Sequence, residues 1–183
     1  MRRVLVAAVL LSLLAGCGRG GGRQESSGPL NGADVAFAQG LLLADDHATE
    51  VVELIEDHTT RPELTQLATR VDSSRGAEIT KLQGWLGRWG KPVEPGAGLD
   101  PETQLPPGLL SDEQLNQLAQ LKGTKFDLAF ADAFTGHHRG VIELAQRELR
   151  DGSLGEVKAF ARQVADGRQA EIDELARWKQ AWS

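Results

Sequence analysis

Apolar residues recur at alternating steps of three and four along four long stretches of this chain, which is the spacing of one buried face on an α-helix. No stretch shows the period-two alternation of a half-buried strand, so we predict no strands. A shorter helix is predicted from the capping-box spacing of Ser111 and Gln114, and it should end near Gly123. The four long helices are predicted at about Ala33 to Asp57, Pro62 to Trp89, Lys125 to Arg150 and Leu154 to Trp182.

The first two long helices and the last two are related by an internal repeat. Residues recur without insertion at an offset of 93 positions, so that Asp34 matches Asp127 and Arg75 matches Arg168. Each repeat forms a helical hairpin with one apolar face that it cannot bury alone. The fold class is therefore all-α, a four-helix bundle of two duplicated hairpins. The repeats occupy about 33–90 and 126–183, and a Pro/Gly-rich crossover linker occupies 91–125.

Charged residues interrupt the apolar faces near the middle of the predicted bundle. Buried charges are costly unless they are paired. Counting residues outwards from the turn at Gly152 places His137 level with Arg168, and the same count places Asp45 near Arg75. We therefore predict a polar layer, which contains Asp45, Arg75, Glu78, His137, His138, Arg168 and Glu171.

Two interpretations of this layer remain open. In the first, Arg75, Glu78, Arg168 and Glu171 form a structural charged layer that pairs across the pseudo-twofold axis, with His137 hydrogen-bonded among them. In the second, imidazole and carboxylate groups bind a metal ion, and the ligands are His137, His138, Glu171 and Glu78. A ferritin-type di-iron site needs Glu-x-x-His on two helices, and the chain has none.

His47 and Glu50 lie three residues apart, in the reverse order of that di-iron motif. We interpret them as polar residues on the exposed face of a helix.

The N-terminus has the organisation of a secretory signal. Two arginines precede an apolar run at residues 4–14, and small residues precede Cys17. The run LLAGC resembles the bacterial lipobox, which implies cleavage before Cys17 and its acylation by palmitate-type chains. The prediction is a signal peptide at 1–16, the lipidated cysteine and a flexible tether at 17–32, and the bundle at 33–183. The alternative is an ordinary cleaved signal followed by an incidental cysteine.

This organisation predicts a lipoprotein anchored in the lipid bilayer on the extracytoplasmic face of the cell membrane. Loss of Arg2 and Arg3 with the signal would change the formal charge from −6 to −8. Nucleic acid is not an expected partner, because its recognition requires clustered Lys and Arg. We also predict that the protein is not an enzyme, because no nucleophile with a base and no phosphate-binding loop is recognisable.

The repeat and its motifs resemble the DUF305 family, whose members are secreted or lipid-anchored proteins with a ferritin-like, often duplicated four-helix fold. The resemblance covers nearly all of residues 33–182. It implies copper binding through histidines and methionines. The residues that carry it are Asp127, Phe130, His137, His138, Leu144 and Ala145, and in the first repeat Glu78, Ile79, Leu82, Trp85, Leu86, Trp89 and Gly90.

The chain departs from the family pattern in its metal ligands. Its only methionine is Met1, and Ala44 and Asp45 replace the first histidine pair. The remaining pair suits Cu(II) or zinc better than Cu(I), which prefers thioether ligands. We therefore expect a degenerate member of unassigned activity with weak divalent-metal binding. The alternative function is a structural or protein-interaction module of the cell envelope. The family's thioether positions are taken by Leu82, Ala133, Phe134, Leu144 and Leu175.

Overall fold

The computed structural model describes residues 28–100 and 105–182 and contains five helices in those ranges. No strand occurs among the described residues, and the all-α prediction is confirmed. The predicted signal peptide, Cys17 and the tether up to residue 27 lie outside the described ranges. The helices are α1 (Gly32–His58), α2 (Pro62–Arg88), α3 (Asp112–Ala119), α4 (Gly123–Asp151) and α5 (Gly155–Trp182).

Local sequence signals account for the helix ends. Asn31 and Asp34 form a capping box at the start of α1, and Ser111 and Gln114 form the predicted one at the start of α3. After α2 the chain turns at Gly90. Its φ of 64° lies in the left-handed region, which glycine adopts without steric strain because it has no Cβ.

The predicted end of the short helix near Gly123 is wrong. The helix α3 stops at Ala119, and a bond from Leu121 N to Leu118 O closes its last turn. Gly123 instead begins α4.

The bundle consists of two antiparallel hairpins, α1 with α2 and α4 with α5, which meet mainly along α1 and α4. Its apolar core is divided into two clusters. One contains Phe37, Leu41 and Trp85, and the other contains Val51 and Phe130. The interval between the clusters is filled by polar side chains, so the charged positions seen in the sequence lie at one level.

The chain crosses from one hairpin to the other outside this core. Residues 106–110 of the crossover, which we call the strap, lie against α1 and α4. A Cβ added to Gly40 would lie 3.6 Å from Pro106 Cγ, and one added to Gly108 would lie 2.5 Å from Gly136 O. The strap therefore follows the seam between the two hairpins.

Candidate functional site

Two ion pairs join the hairpins in the polar layer. Arg75 Nη2 of α2 lies 2.6 Å from Glu171 Oε2 of α5, and Arg168 Nη2 of α5 lies 2.6 Å from Glu78 Oε2 of α2. The 93-residue repeat relates one ion pair to the other, since Arg75 matches Arg168 and Glu78 matches Glu171. The pairs therefore obey the pseudo-twofold relation between the two hairpins.

Asp45 lies between the two arginines and is fully buried. Its Oδ1 accepts a hydrogen bond from Arg168 Nη2 at 2.8 Å and lies 3.8 Å from Arg75 Nε. Burial raises the pKa of Asp45 well above its usual value, with Glu78 adding to the rise, although Arg168 and Arg75 act in the opposite direction. The first repeat thus uses a carboxylate at the position where the second repeat uses His138.

The two adjacent histidines occupy the α4 side of the layer and are buried, at 1% exposure for His137 and 0% for His138. His137 Nε2 lies 3.0 Å from Ala44 O across the seam. His138 Nε2 lies 2.6 Å from Glu171 Oε2. The remaining ring nitrogens, Nδ1 of His137 and Nδ1 of His138, are 3.5 Å apart.

The electrostatics of the layer favour neutral imidazoles beside an ionised Glu171. Burial lowers the pKa of His137 well below its usual value, and the adjacent His138 lowers it further. Burial also lowers the pKa of His138 to about 4, against the raising effect of Glu171. Burial alone would raise the pKa of Glu171, but His138 and Arg75 lower it to about 2. Near neutral pH both histidines are therefore neutral.

The four metal ligands suggested by the sequence do not converge in the structure. Glu171 contacts His138, but through Nε2, and it is also paired with Arg75. Glu78 is paired with Arg168 on the other side of the pseudo-twofold axis. Within residues 28–100 and 105–182, no group of three or more His, Cys, Asp or Glu side chains is arranged to hold a metal ion. His137, His138 and Glu171 remain in contact, whereas Glu78 does not join them.

The interpretation of His47 as exposed helix polarity is wrong. Its exposed fraction is 9%, whereas Glu50 is exposed. Its ring centroid lies 5.7 Å from that of His137, and its Nε2 contacts the backbone of Leu110 in the strap. A periodic signal was present, because position 47 lies between the buried positions 44 and 51 at steps of three and four.

No described helix is long and apolar enough to span a membrane.

The fold and the layer define a class of protein: a duplicated helical bundle with a buried histidine pair beside two ion pairs that join its halves. The chain belongs to the DUF305 family, a domain of unknown function that matches residues 34–179. No curated protein matches the sequence significantly.

Solved structures of this class share the fold. A DUF305 protein from Streptomyces coelicolor superposes with a TM-score of 0.74 at 22% identity, covering 82% of this chain and 93% of the other. A DUF305 fragment from Deinococcus radiodurans gives 0.74 at 23% identity, with coverages of 84% and 99%. CopM in its Cu(II)-bound form gives 0.69 at 21% identity, with coverages of 82% and 97%. At these identities the similarity establishes the fold alone.

Proposed function

We propose that this protein is an extracytoplasmic, lipid-anchored bundle that binds one divalent copper or zinc ion weakly at His137 and His138. The observation that carries the proposal is the 3.5 Å separation of the two Nδ1 atoms, combined with an oxygen acceptor at each Nε2.

The positions of the protons on the two rings decide which ring nitrogens can bind a metal ion. A neutral imidazole has one N–H and one lone pair. Ala44 O and an ionised Glu171 carboxylate can only accept hydrogen bonds, and they lie 3.0 Å and 2.6 Å from Nε2 of His137 and of His138, so each ring favours its proton on Nε2. With both protons on Nε2, the two Nδ1 atoms, 3.5 Å apart in a buried layer, each carry a lone pair and cannot hydrogen-bond each other. The lone pairs repel each other, and a cation bound by both nitrogens would relieve that repulsion.

The surroundings of the two rings fit a metal site. Metal-binding histidines usually donate their second N–H to a carboxylate or a backbone carbonyl, which fixes the tautomer and the ring orientation. Glu171 and Ala44 O would have these roles here. Two imidazole nitrogens bound to one tetrahedral zinc ion are about 3.3 Å apart, given bonds of about 2.0–2.1 Å. The spacing of the histidines is close to this value.

The two imidazole nitrogens also restrict which metal ions can bind. Imidazole suits Cu(II) and Zn(II), whereas Cu(I) favours thioether and thiolate ligands. The described residues contain no methionine or cysteine. Copper-bound structures of CopM, a protein of the same fold, support the proposal. With two protein ligands, water would complete the coordination, so we expect weaker binding than at a site with three or four protein ligands.

Titration of the purified protein with Cu(II) and Zn(II), followed by calorimetry, tests this site. We expect one ion per chain. In His138→Gln the amide nitrogen replaces Nε2 and can still donate to Glu171, but the Nδ1 ligand is lost. Affinity should fall at least about tenfold, or ~1.4 kcal/mol. His58→Gln is the control, because His58 Nε2 bonds Ala119 O at the far end of α1. Unchanged affinity and stoichiometry in both His137→Gln and His138→Gln would refute the site.

The proposed location rests on the N-terminal sequence and on the description of the Streptomyces coelicolor relative as a secreted protein. Replacing Cys17 by Ser should release the protein from the membrane fraction. Retention of the Cys17→Ser variant on membranes would contradict lipid anchoring.

A structural role is the second candidate. It is favoured by the layer itself, in which Arg75 and Arg168 each have a carboxylate partner without any metal. If the titration detects no ion at the histidines, this role as a non-catalytic envelope scaffold is the better assignment.

A further inference from the structure

The strap covers the seam at the level of the histidine pair. A Cβ added to Gly108 would lie 3.1 Å from His137 Cα, so the strap backbone packs directly on the backbone of α4. The carbonyl of Pro107 passes so close to Gly140 that a Cβ at Gly140 would collide with it. The site is therefore closed on this side by residues 106–110.

His47 holds the end of the strap. Leu110 N donates to His47 Nε2 at 2.9 Å, and Leu110 O lies 3.0 Å from the same atom. The other ring nitrogen of His47 is buried without a hydrogen-bond partner, and the ring centroid is 5.7 Å from that of His137. His47 therefore joins the strap to the vicinity of the candidate metal ligands.

The opposite side of the layer is unfavourable for an entering cation. There, between α2 and α5, the guanidinium groups of Arg75 and Arg168 are held by the partly exposed carboxylates. The strap, α3 and α4 line a cavity of about 390 Å³, and its lining includes Leu110, Asp132 and Gly136. Leu110 bonds His47 and Gly136 precedes His137, so the cavity approaches the histidine pair from the strap side.

We infer that the strap is the gate through which a divalent cation reaches His137 and His138, and that His47 is the latch of that gate. This inference rests on the proposed metal site. The repeat supports a special role for the latch, because His47 matches Gly140 in the second hairpin. The two equivalent positions thus contact the strap differently: His47 bonds it, and Gly140 leaves space for it.

Gly140→Ala tests the gate without changing a histidine. Its added Cβ displaces the strap, since overpacking shifts neighbouring backbone. Gly167→Ala is the control for a glycine-to-alanine change inside a helix, because Gly167 is exposed on α5, lies outside the strap and the cavity lining, and a Cβ there meets nothing within 4 Å. Stopped-flow Cu(II) binding should show association and dissociation about tenfold faster in Gly140→Ala, with the dissociation constant changed less than about threefold, and no change in Gly167→Ala. A tenfold change corresponds to ~1.4 kcal/mol in the opening equilibrium.

Diethyl pyrocarbonate labelling of His137 and His138, read by mass spectrometry without metal, gives a second measurement. Labelling should be faster in Gly140→Ala than in wild type or in Gly167→Ala. If wild-type protein binds Cu(II) but Gly140→Ala leaves both labelling and binding rates unchanged, the gate is refuted and the metal site stands. If no metal binds, the proposed function and the cation gate both fail, even if faster labelling shows that the strap covers the histidine pair.

His47→Ala removes the latch and provides an independent variant if Gly140→Ala does not fold. It should also accelerate labelling of His137 and His138. Unchanged labelling in His47→Ala would overturn the role of His47.

Discussion

The effect of burial on the stability contributed by an ion pair can be measured within one pair of helices, α2 and α5. Arg75 and Arg70 both lie on α2, and each has a guanidinium nitrogen 2.6 Å from a carboxylate of α5, Glu171 for Arg75 and Glu174 for Arg70. Their side chains differ in exposure, at 1% for Arg75 and 48% for Arg70. Replacement by Met retains most of the apolar stem in each case and removes the charge.

The expected costs differ by several kilocalories. Removing one partner of a buried pair costs about 3–5 kcal/mol, because the remaining charge is left uncompensated. Glu171 is 19% exposed and keeps His138, so the lower end, about 3 kcal/mol, is expected for Arg75→Met. An exposed pair contributes about 0.2–1 kcal/mol, and Arg70→Met should cost no more than that.

Urea unfolding followed by circular dichroism measures both free energies of unfolding, with the wild-type m-value as a check on two-state behaviour. The double variant Arg75→Met, Glu171→Gln should recover part of the loss, because it also removes the orphaned carboxylate. If the free energies of unfolding of Arg75→Met and Arg70→Met differ by less than about 1 kcal/mol, burial does not make the loss of an ion-pair partner more costly in this layer, and the prediction is refuted.

Two further predictions concern Glu148, whose side chain packs against the turn after α4. Burial and the Asp34 carboxylate raise its pKa to about 8, so the folded protein holds a proton that the unfolded chain releases near pH 4.3. The free energy of unfolding should fall as the pH rises from about 5 to 8, and this fall should be smaller in Glu148→Gln. Equal pH dependence in wild type and Glu148→Gln would contradict the raised pKa. Gly152→Ala places a Cβ against Glu148 Oε1 and should cost about 1–3 kcal/mol, whereas Gly167→Ala, which meets nothing, should be neutral or stabilising; equal melting temperatures would exclude the clash.

The fold could be predicted from the sequence because its main determinants are periodic. Buried positions such as Phe37, Val51 and Phe130 recur every three or four residues, and the 93-residue offset relates the two hairpins. The charged layer followed from the same periodicity, because Arg75 and Arg168 fall on the buried faces. These inferences need only the helical repeat and the length of each hairpin.

The details of the site could not be predicted in this way. His47 is buried by Leu110, which belongs to an irregular segment without periodicity, so its partner had no signature in the sequence. The Nδ1 separation depends on side-chain rotamers of His137 and His138, which sequence spacing does not determine. Glu148 lies one helical step of four residues after the buried Leu144, but its neighbour Asp34 comes from the other hairpin.

The exchange of ion-pair partners between the hairpins has a consequence for folding. Glu171 of the second hairpin pairs with Arg75, and Glu78 of the first pairs with Arg168, so a hairpin folded alone lacks the carboxylate that lies closest to its arginine. The hairpins should therefore form one cooperative unit rather than two successive foldons. The tryptophan stacks of α2 and α5, which lie at opposite ends of the bundle, should accordingly be lost in a single transition.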